Sequence, residues 1–301
     1  MTYVTAIIPT YKGKDRVDDL MNALIRFKKE GLDEVVVVLD GYDDETFNRL
    51  VPWKEKLPLK VLQIEHQSPA TARNEGIKNA TGEYLWFLGD DSRPEEGCLQ
   101  ELLKASKDRY PVQGSIKYPE EWLEEPFVYF LENVSYSQFS FHSIDKGCIN
   151  FSSVSTSNLL VPKDLIDNAG LFDPRFKEAI YEDTEWAFRL QKGSGKILFQ
   201  PTAIVIHEHK PELRIFCNKM ILGGYYTQLL SSLHKDAAPY LNLEVFHPLK
   251  SMLFNKVTVG VWFRIASLMK RSNSFLFFIY RGLINYHHRL GLKRARKEGI
   301  V

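Results

Sequence analysis

The sequence predicts an α/β protein whose mostly parallel sheet is flanked by helices, followed by a basic helical extension. Over residues 1–120, short β-branched runs alternate with amphipathic stretches, which is the pattern of strands joined by helical crossovers. After Pro211 this alternation ends and the chain becomes rich in Lys and Arg. We therefore expect an α/β domain over residues 1–210 and a helical extension over residues 211–301.

The elements of the first domain follow from apolar periodicity. Runs of Val, Ile and Leu bounded by polar turns indicate buried strands, whereas apolar residues at every third or fourth position indicate helices. Gly82 follows the helix predicted over residues 69–80 and is predicted to cap its C-terminal end. The predicted strands are 4–8, 35–39, 60–64, 84–88, 152–161 and two within 196–206, and the predicted helices are 15–29, 69–80, 94–105 and 182–191.

Three further segments have their own character. Residues 118–147 are acidic and aromatic without a clear period, so we expect them to run over the surface and to form part of an acceptor site. Residues 250–271 place apolar side chains on one side of a helical wheel and basic ones on the other, which predicts a single amphipathic helix with a basic face. An aromatic run over residues 275–280 and a basic cluster over residues 293–297 follow.

Charge is divided between the two predicted domains. The chain as a whole has a net charge of +1, whereas residues 1–210 sum to −9 and residues 211–301 to +10. Such asymmetry indicates a basic module with an anionic partner. No nucleic-acid-binding motif accompanies the charge. We expect the partner to be an anionic membrane surface, with packing on the first domain or a homo-oligomer contact as the alternative.

Compartment and membrane topology are also predicted. No apolar stretch reaches the roughly 18 residues that cross a bilayer, and the first residues show no secretory signal. The three cysteines, Cys98, Cys148 and Cys217, are odd in number and widely spaced, which is typical of a reducing compartment. We expect a cytoplasmic protein, peripheral on the cytoplasmic face of the membrane.

Polar residues follow three of the predicted strands. Thr10 and Tyr11 follow the first strand, Asp40 follows the second, and Asp90 and Asp91 follow the fourth. Because ligands of parallel sheets bind at the carboxyl ends of the strands, we expect these side chains to line one ligand site.

Five segments resemble glycosyltransferase family 2 in their order and spacing, over residues 2 to about 209. They are VTAIIPTYKGKDRVDDL, VVVVLDGYDDET, QSPATARNEGIKNATGEYLWFLGDD, STSNLLVPKDLIDNAGLFDPRF and YEDTEWAFRL. The resemblance implies the GT-A fold, with a mostly parallel Rossmann-like sheet flanked by helices. It also implies an inverting glycosyltransferase that uses Mg²⁺ or Mn²⁺ and moves a sugar from a nucleotide diphosphate donor, most commonly a UDP-sugar, to an acceptor hydroxyl. The acceptor is expected to be a glycan or a lipid-linked glycan in polysaccharide or glycoconjugate assembly.

The resemblance also implies roles for individual residues. Asp183 is expected to be the catalytic base, with Glu182 orienting it or contacting the acceptor. The metal ligands are expected to be Asp91 and His207, because carboxylate oxygens and neutral imidazole suit these cations. The donor-binding residues are expected to be Pro9, Thr10, Tyr11, Asp40, Arg73, Asn74 and Asp90, and the acceptor-binding residues Asn158 and Trp186.

Simpler roles stay open for several of these side chains. Acidic residues in a first helical turn are favoured by the helix dipole alone, and a lone histidine is often structural. The simpler roles are a helix cap for Asp90 and Asp91, a turn for Asp40, a solvated surface position for Arg73, helix-dipole compensation for Glu182 and Asp183, and a structural role for His207 with His209 as the ligand.

Two positions depart from the family pattern. Gly89 stands where the first aspartate of Asp-x-Asp is common, and Leu39 stands where an acidic residue often precedes Asp40. Asp40 and Asp91 themselves are present, so the predicted site keeps its central carboxylates.

Other classes of protein fit the sequence less well. A nucleotidyltransferase needs a Gly-rich, Arg-containing turn after the first strand, and a dinucleotide oxidoreductase needs GxGxxG there. The sequence has IPTYKGKD at this point. An inactive glycan-binding or scaffold protein on a GT-A frame remains the alternative, although Asp91, Asp183 and His207 are all retained.

Overall fold

The computed structural model describes residues 3–134, 147–243 and 248–300. Its contacts divide the chain into two compact units. The first unit falls within Met1–Pro119 and Phe141–His209, and the second within Glu120–Ser140 and Lys210–Val301. The unit boundary after His209 lies one residue from the predicted 210/211 division. Of the described residues, 120–134 group with the second unit.

The described residues of the first unit form a nine-stranded sheet of order β3-β2-β1-β4-β8-β6-β9-β5, with β7 beside β9. Pairing is parallel among β3, β2, β1 and β4 and between β6 and β9, and antiparallel elsewhere. Six strands therefore run in one direction, whereas β5, β7 and β8 run against them. The strands are β1 Val4–Thr10, β2 Leu32–Asp40, β3 Leu59–Ile64, β4 Tyr84–Leu88, β5 Ser92–Pro94, β6 Val112–Lys117, β7 Cys148–Ile149, β8 Asn158–Pro162 and β9 Ile197–His207.

Helices cover both faces of this sheet. Along β2, Val35 and Val37 are buried on one face in a core that includes Met21. Val36 and Val38 are buried on the other face with Ala72. A strand that is buried on both sides reads as a continuous apolar run, which is why residues 35–39 were recognisable as a strand. The helices of this unit are α1 Val17–Leu24, α2 Asp44–Leu50, α3 Pro69–Asn79, α4 Cys98–Ala105, α6 Asp164–Ala169 and α7 Glu182–Ser194.

Several predictions of local structure in the first unit were wrong in detail. Residues 92–94 form strand β5, so α4 begins at Cys98 instead of Pro94. The two strands predicted within residues 196–206 are a single strand, β9, whose register against β6 shifts between Gly114 and Ser115. Gly82 does not cap α3. It allows close approach to β1, since a Cβ there would lie 2.6 Å from the Thr5 backbone nitrogen.

The second unit is helical, and its two longest helices pack through glycines. A Cβ on Gly224 would lie 1.8 Å from the carbonyl oxygen of His288, and a Cβ on Gly291 would lie 1.9 Å from that of Ile221. The backbones of α8 and α11 therefore touch at this crossing. No described helix is both long enough and apolar enough to cross a membrane. The helices of this unit are α5 Pro126–Asn133, α8 Leu213–Leu233, α9 Pro248–Leu253, α10 Val259–Leu268 and α11 Ser274–Lys297.

The single amphipathic helix predicted over residues 250–271 is instead two helices, α9 and α10, separated by a turn. Asn255 causes the break: its Oδ1 accepts hydrogen bonds from the backbone N–H groups of Val257 at 2.8 Å and Thr258 at 3.2 Å. Such a local side-chain bond offers the backbone an alternative to helical pairing. Phe254 is fully buried, with its ring over Gly282 of α11, where a Cβ would lie 2.0 Å from the ring. Helical periodicity alone could not reveal this long-range packing.

Candidate functional site

The sheet brings the predicted polar residues to one edge. Strand β1 lies between β2 and β4, so their carboxyl ends are adjacent. Leu88, at the end of β4, pairs with Asn158, at the start of β8. Ser92 of β5 pairs with His207 at the end of β9. The segments that follow β1, β2 and β4 therefore lie at the same edge of the sheet as the start of β8 and the end of β9.

A cavity of about 470 Å³ opens at the ends of β1 and β2. Tyr11 and His66 form part of its wall, with their rings stacked 4.5 Å apart at an interplanar angle of 21°. Tyr11 remains 48% exposed, so an aromatic surface is accessible in the cavity. The remaining lining residues are Thr10, Lys12, Lys14, Leu39, Asp40, Gly41, Tyr42, Asp43 and Glu45.

Asp40 is a buried residue in the wall of this cavity and is held in place by hydrogen bonds. Its Oδ1 accepts a hydrogen bond from the backbone N–H of Gln67 at 2.8 Å. The Nδ1 atom of His66 lies 3.1 Å from the Asp40 carbonyl oxygen and 3.2 Å from Asp40 Oδ2. Gly41 follows with φ +123°, so Asp40 also begins a turn. The turn role and a ligand-binding role are therefore compatible.

Asp90 is bound by groups of the protein itself. Its Oδ2 accepts hydrogen bonds from Thr10 Oγ1 at 2.5 Å and from Arg16 Nη2 at 2.7 Å. Arg16 Nη2 also donates to the Tyr11 carbonyl oxygen at 3.1 Å. Burial and the neighbouring Asp91 raise the pKa of Asp90 despite these hydrogen bonds. Asp90 thus joins the turn after β1 to the end of β4.

Asp91 lies beside His207, with 3.3 Å between Asp91 Oδ1 and His207 Nδ1. Burial acts to raise the pKa of Asp91, but the charge and hydrogen bond of His207 outweigh it and hold the pKa at about 2. Gly89 leaves room for this arrangement, since a Cβ there would lie 2.7 Å from Asp91 Oδ1. Helix α4 begins only at Cys98, with Gly97 as its N-cap, so neither aspartate caps it.

Asp91 and His207 form a pair, not a complete metal centre. Within residues 3–134, 147–243 and 248–300, no three His, Cys, Asp or Glu side chains are grouped so that they could hold a metal ion. The pair nevertheless suits a divalent cation, because Asp91 stays ionised and imidazole is a common ligand. A small cavity of about 250 Å³ adjoins it, lined by Asp15, Arg16, Asp19, Leu20, Asp90, Asp91, Ser92 and Glu208.

Asp183 is buried in the first turn of α7. Its Oδ1 accepts a hydrogen bond from the Thr184 backbone N–H at 2.8 Å, and the Thr156 backbone also hydrogen-bonds to the carboxylate. Burial, together with the charge of Glu182, raises the pKa of Asp183 to about 7, although Arg73 opposes this rise. Tyr181, directly before the helix, has φ +71°, a strained value for a residue other than glycine.

The site of Asp183 is linked to that of Asp91 through the start of β8. A Cβ on Gly89 would lie 3.7 Å from Ser157 Oγ, and the neighbouring residue, Thr156, bonds to Asp183. The ionised carboxylate of Asp91 and the titratable carboxylate of Asp183 therefore lie at the same edge of the sheet.

Arg73 is not a solvated surface residue. Its Nη1 donates a hydrogen bond to Glu182 Oε1 at 2.8 Å, and both side chains are buried. Its guanidinium also lies 5.6 Å from the centre of the Phe172 ring. Asn74 is equally engaged, since its side chain makes two 2.8 Å hydrogen bonds to the Phe172 backbone. The structure thus places Arg73 beside the start of α7 and Asn74 beside Phe172, in the segment between α6 and α7, with Pro9 near the end of β1.

The prediction that Asn158 and Trp186 contact the acceptor was wrong. Both side chains are fully buried. Asn158 Nδ2 donates to the carbonyl oxygens of Ser115 and Ala203, at 3.1 and 2.9 Å. Trp186 Nε1 donates to the Gly170 carbonyl oxygen at 2.8 Å. Neither has surface to offer a ligand, and their polarity serves the core instead.

Two residues of the site escaped sequence reasoning. Arg16 lies within a predicted helix, and nothing in the pattern indicated that it binds Asp90. His66 follows the third strand. The expectation that ligands bind at the carboxyl ends of parallel strands, here called the strand-end rule, selected Asp40 and could also have selected His66.

Sequence comparison finds relatives for part of the chain. The profile of glycosyl transferase family 2 matches residues 5–167. The chain is 37% identical over 105 residues to the poly(ribitol-phosphate) β-N-acetylglucosaminyltransferase TarS of Staphylococcus aureus, covering 34% of this chain and 18% of that protein. It is 27% identical over 191 residues to the pre-mycofactocin glycosyltransferase of Mycobacterium tuberculosis, covering 59% of this chain and 38% of that protein. The matched regions thus span less than two fifths of either relative.

Solved structures share the fold. S. aureus TarS 1–349 in complex with UDP-GlcNAc has a TM-score of 0.57 at 16% identity, covering 99% of this chain and 92% of that chain. The mannosyltransferase PcManGT from Pyrobaculum calidifontis, in complex with GDP-Man and Mn²⁺, has a TM-score of 0.57 at 16% identity, covering 98% and 73%. These likenesses concern the fold, and they confirm the predicted GT-A-type architecture.

Proposed function

Because this chain belongs to glycosyl transferase family 2, we propose that it moves a sugar from a nucleotide diphosphate donor to an acceptor hydroxyl, with inversion at the anomeric carbon. The observation that carries the proposal is the raised pKa of the buried Asp183 carboxylate. Its pKa of about 7 lets the carboxylate accept a proton near neutral pH, where an ordinary aspartate is too weak a base. Its position at the sheet edge that also holds Asp91 supports a role in the transfer.

In this mechanism Asp183 takes the proton of the acceptor hydroxyl as the acceptor oxygen attacks the anomeric carbon. The bond between that carbon and the diphosphate oxygen breaks, and the nucleoside diphosphate leaves. A single displacement inverts the anomeric configuration, so an α-linked donor gives a β-linked product. Arg73 and Glu182 position the start of α7 and keep Asp183 titratable near neutral pH.

The cavity lined by Tyr11 and His66 is our proposed nucleoside site. An exposed aromatic ring can stack on a nucleobase, and Lys12 and Lys14 add positive charge to the lining. Asp40 lies in the same wall and can accept a hydrogen bond from a base or ribose. Because TarS is solved in complex with UDP-GlcNAc, a UDP-sugar is our first candidate, and the GDP-Man complex of PcManGT makes GDP-sugars the second.

We propose that Asp91 and His207 hold Mg²⁺ or Mn²⁺. The ionised Asp91 carboxylate and the adjacent imidazole fit two positions of such a site, which leaves further positions for donor phosphates. When bound, the cation would offset the charge that develops on the leaving diphosphate. Asp90 serves a different purpose, since Thr10 and Arg16 already occupy its Oδ2 oxygen. The Mn²⁺ in PcManGT supports a divalent cation as the cofactor.

The acceptor we propose is a glycan or lipid-linked glycan of polysaccharide or glycoconjugate assembly. TarS is named for transfer to poly(ribitol-phosphate), which is consistent with a polyhydroxylated acceptor. We place the reaction in the cytoplasm. The buried thiols of Cys98 and Cys217 are consistent with a reducing compartment.

The decisive experiment is a turnover assay of a UDP- and GDP-sugar panel with the full chain and Mn²⁺, in which NMR reports the anomeric configuration of the product. Asp183→Asn should lower kcat about 10²- to 10⁴-fold and leave nucleotide affinity nearly unchanged. Glu178→Gln is the matched control, because Glu178 is an exposed acid on the same unit.

Two results would overturn the proposal. A product of retained configuration would exclude the single displacement and the role of Asp183 together. If wild type and variant both bound a nucleotide sugar but neither transferred the sugar nor hydrolysed the donor, the chain would instead be an inactive glycan-binding or scaffold protein.

A further inference from the structure

We propose that one surface of the helical unit binds directly to an anionic lipid bilayer. This apolar–basic surface is formed by α9, α10, the turn between them and the start of α11. Its exposed apolar members are Met252, Leu253, Val257, Val261, Leu268, Phe275 and Phe278, and its exposed basic members are Lys250, Lys256, Arg264, Lys270 and Arg271. The inference does not depend on the proposed glycosyl transfer.

The members of this surface are brought together by an aromatic cluster. Phe254 stacks on Trp262 with ring centres 5.2 Å apart, and Trp262 lies 6.5 Å from Phe275. Phe254 also lies 5.6 Å from Phe278, which joins the turn to α11. On α10 itself, residues 261, 264 and 268 are spaced by three and four, so they share one helix face. The exposed residues are therefore neighbours in the unit and not only in the sequence.

The degree of apolar exposure is unusual for a surface in water. Val257 is 87% exposed, Leu268 78% and Met252 72%. Isolated exposed apolar residues need no explanation, whereas a contiguous group rimmed by polar side chains marks an interaction surface.

The turn that presents Val257 is held by specific contacts. Asn255 and Thr258 bond to the backbone of the turn, and Thr258 Oγ1 and Trp262 Nε1 both donate to the Leu253 carbonyl oxygen at 2.6 Å. Phe254 anchors the turn in the space above Gly282. Val257 is therefore projected by an ordered turn, as suits a side chain that enters an interface.

Charge identifies the partner as a bilayer with anionic headgroups. Residues 245–297 contain no Asp or Glu, whereas basic side chains alternate with the apolar ones across the surface. An isologous contact with a second copy would place two such basic surfaces against each other without a compensating acid. An anionic bilayer satisfies both features, because apolar side chains enter the acyl boundary while Lys and Arg remain at the headgroups.

Vesicle flotation of the full chain tests the proposal. The vesicles are phosphatidylcholine alone or phosphatidylcholine mixed with phosphatidylglycerol, each at low and high salt. We expect flotation with the mixed vesicles at low salt, weaker flotation at high salt and little with phosphatidylcholine alone. Lys256→Gln should lower the partition coefficient about fivefold. Val257→Asp should lower it at least about tenfold.

Two matched variants control for net charge and for a general effect of an added acid. Lys107→Gln and Val51→Asp make the same changes at exposed positions of the other unit and should leave flotation unchanged. Thermal unfolding checks that each variant is folded.

Three outcomes would overturn the proposal. The first is absence of flotation with mixed vesicles at low salt, and the second is an equal loss of flotation in the control and test variants. The third is a change of molar mass in solution for Val257→Asp without a change in flotation. The last would identify the surface as a contact between two copies.

Discussion

Arg73 Nη1 donates a 2.8 Å hydrogen bond to Glu182 Oε1, in a buried ion pair that joins α3 to α7. The two residues are 109 positions apart in the sequence. Asp183 comes directly after Glu182, so its carboxylate is exposed to both charges of the pair. The Glu182 carboxylate raises the pKa of Asp183, and the Arg73 guanidinium lowers it. The pair thereby adjusts the strength of the proposed base without contacting substrate.

Replacing Glu182 should shift the pH dependence of the reaction. In the wild type, kcat should rise with pH and reach half its maximum near pH 7, because Asp183 must be ionised to accept a proton. Glu182→Gln removes a neighbouring negative charge, so the pKa of Asp183 should fall and the rise in kcat should move to lower pH. The measurement is a pH–kcat profile, with Glu178→Gln as control. An unchanged or upward-shifted profile for Glu182→Gln would contradict this coupling.

The raised pKa of Asp183 also makes the free energy of unfolding depend on pH. The folded state holds the Asp183 proton more tightly than the unfolded chain, whose aspartates titrate near about 3.9. Ionisation of Asp183 should therefore cost no folding free energy below that pH, and the full cost should be present above about pH 7. Relative to the wild type, Asp183→Asn should therefore gain unfolding free energy as the pH rises through this window, which urea titrations at several pH values would show.

Gly89→Ala should weaken metal-dependent nucleotide binding. The new Cβ would lie 2.7 Å from Asp91 Oδ1 and 3.1 Å from Ser92 Oγ, so the Asp91 carboxylate must shift from its position beside His207 Nδ1 or strain the turn. We expect affinity for Mn²⁺ in the presence of UDP to fall about 10- to 100-fold, the range seen when a ligand loses its support. Calorimetric titration, with and without EDTA, measures this. Gly193→Ala is the control, since its nearest contact would be 3.7 Å from Asn168 Cβ. Equal affinities in both variants would mean that Asp91 is not a ligand.

Tyr11→Ala and His66→Ala should each weaken UDP binding. Loss of an aromatic stacking partner costs about 1–3 kcal/mol per base, which corresponds to a rise in Kd of about 5- to 150-fold. His66→Phe separates two effects, because it keeps a ring against Tyr11 but removes the hydrogen bond to Asp40. Fluorescence or calorimetric titration with UDP provides the Kd values. Tyr3→Ala is the control, being 41% exposed and absent from the cavity lining. If all three alanine variants bound UDP alike, the nucleoside would have to bind elsewhere.

Two glycines of the helical unit should respond to alanine with opposite signs. A Cβ on Gly224 would lie 1.8 Å from the His288 carbonyl oxygen, so α8 and α11 must separate, at a cost of about 1–3 kcal/mol of unfolding free energy. Gly260 lies in α10 with open space around its Cβ position. Gly260→Ala should stabilise by about 0.5–1 kcal/mol, because alanine loses less backbone entropy in a helix. Urea unfolding compares them, and equal changes would contradict the close crossing.

Local pattern was sufficient for much of the fold and for the centre of the site. Strand β4 agrees residue for residue with the prediction, and β1, β2 and β3 agree within a few residues. Strands β1, β2 and β4 are mostly buried on both faces, so their apolar runs are recorded directly in the sequence. The strand-end rule then brought Tyr11, Asp40 and Asp91 to one edge without knowledge of any contact, because it depends only on strand direction.

Contacts between distant residues decided the rest. Asn158 and Trp186 look like site residues in the sequence, yet the packing of β8 and α7 buries them completely. Residues 250–271 have helical periodicity, but Asn255 bonds to the turn and Phe254 packs over Gly282, so the helix divides. Periodicity reports which side chains would share a face if a segment were regular. Whether the segment stays regular, and whether a polar side chain faces a ligand or a buried carbonyl, depends on packing partners far along the chain.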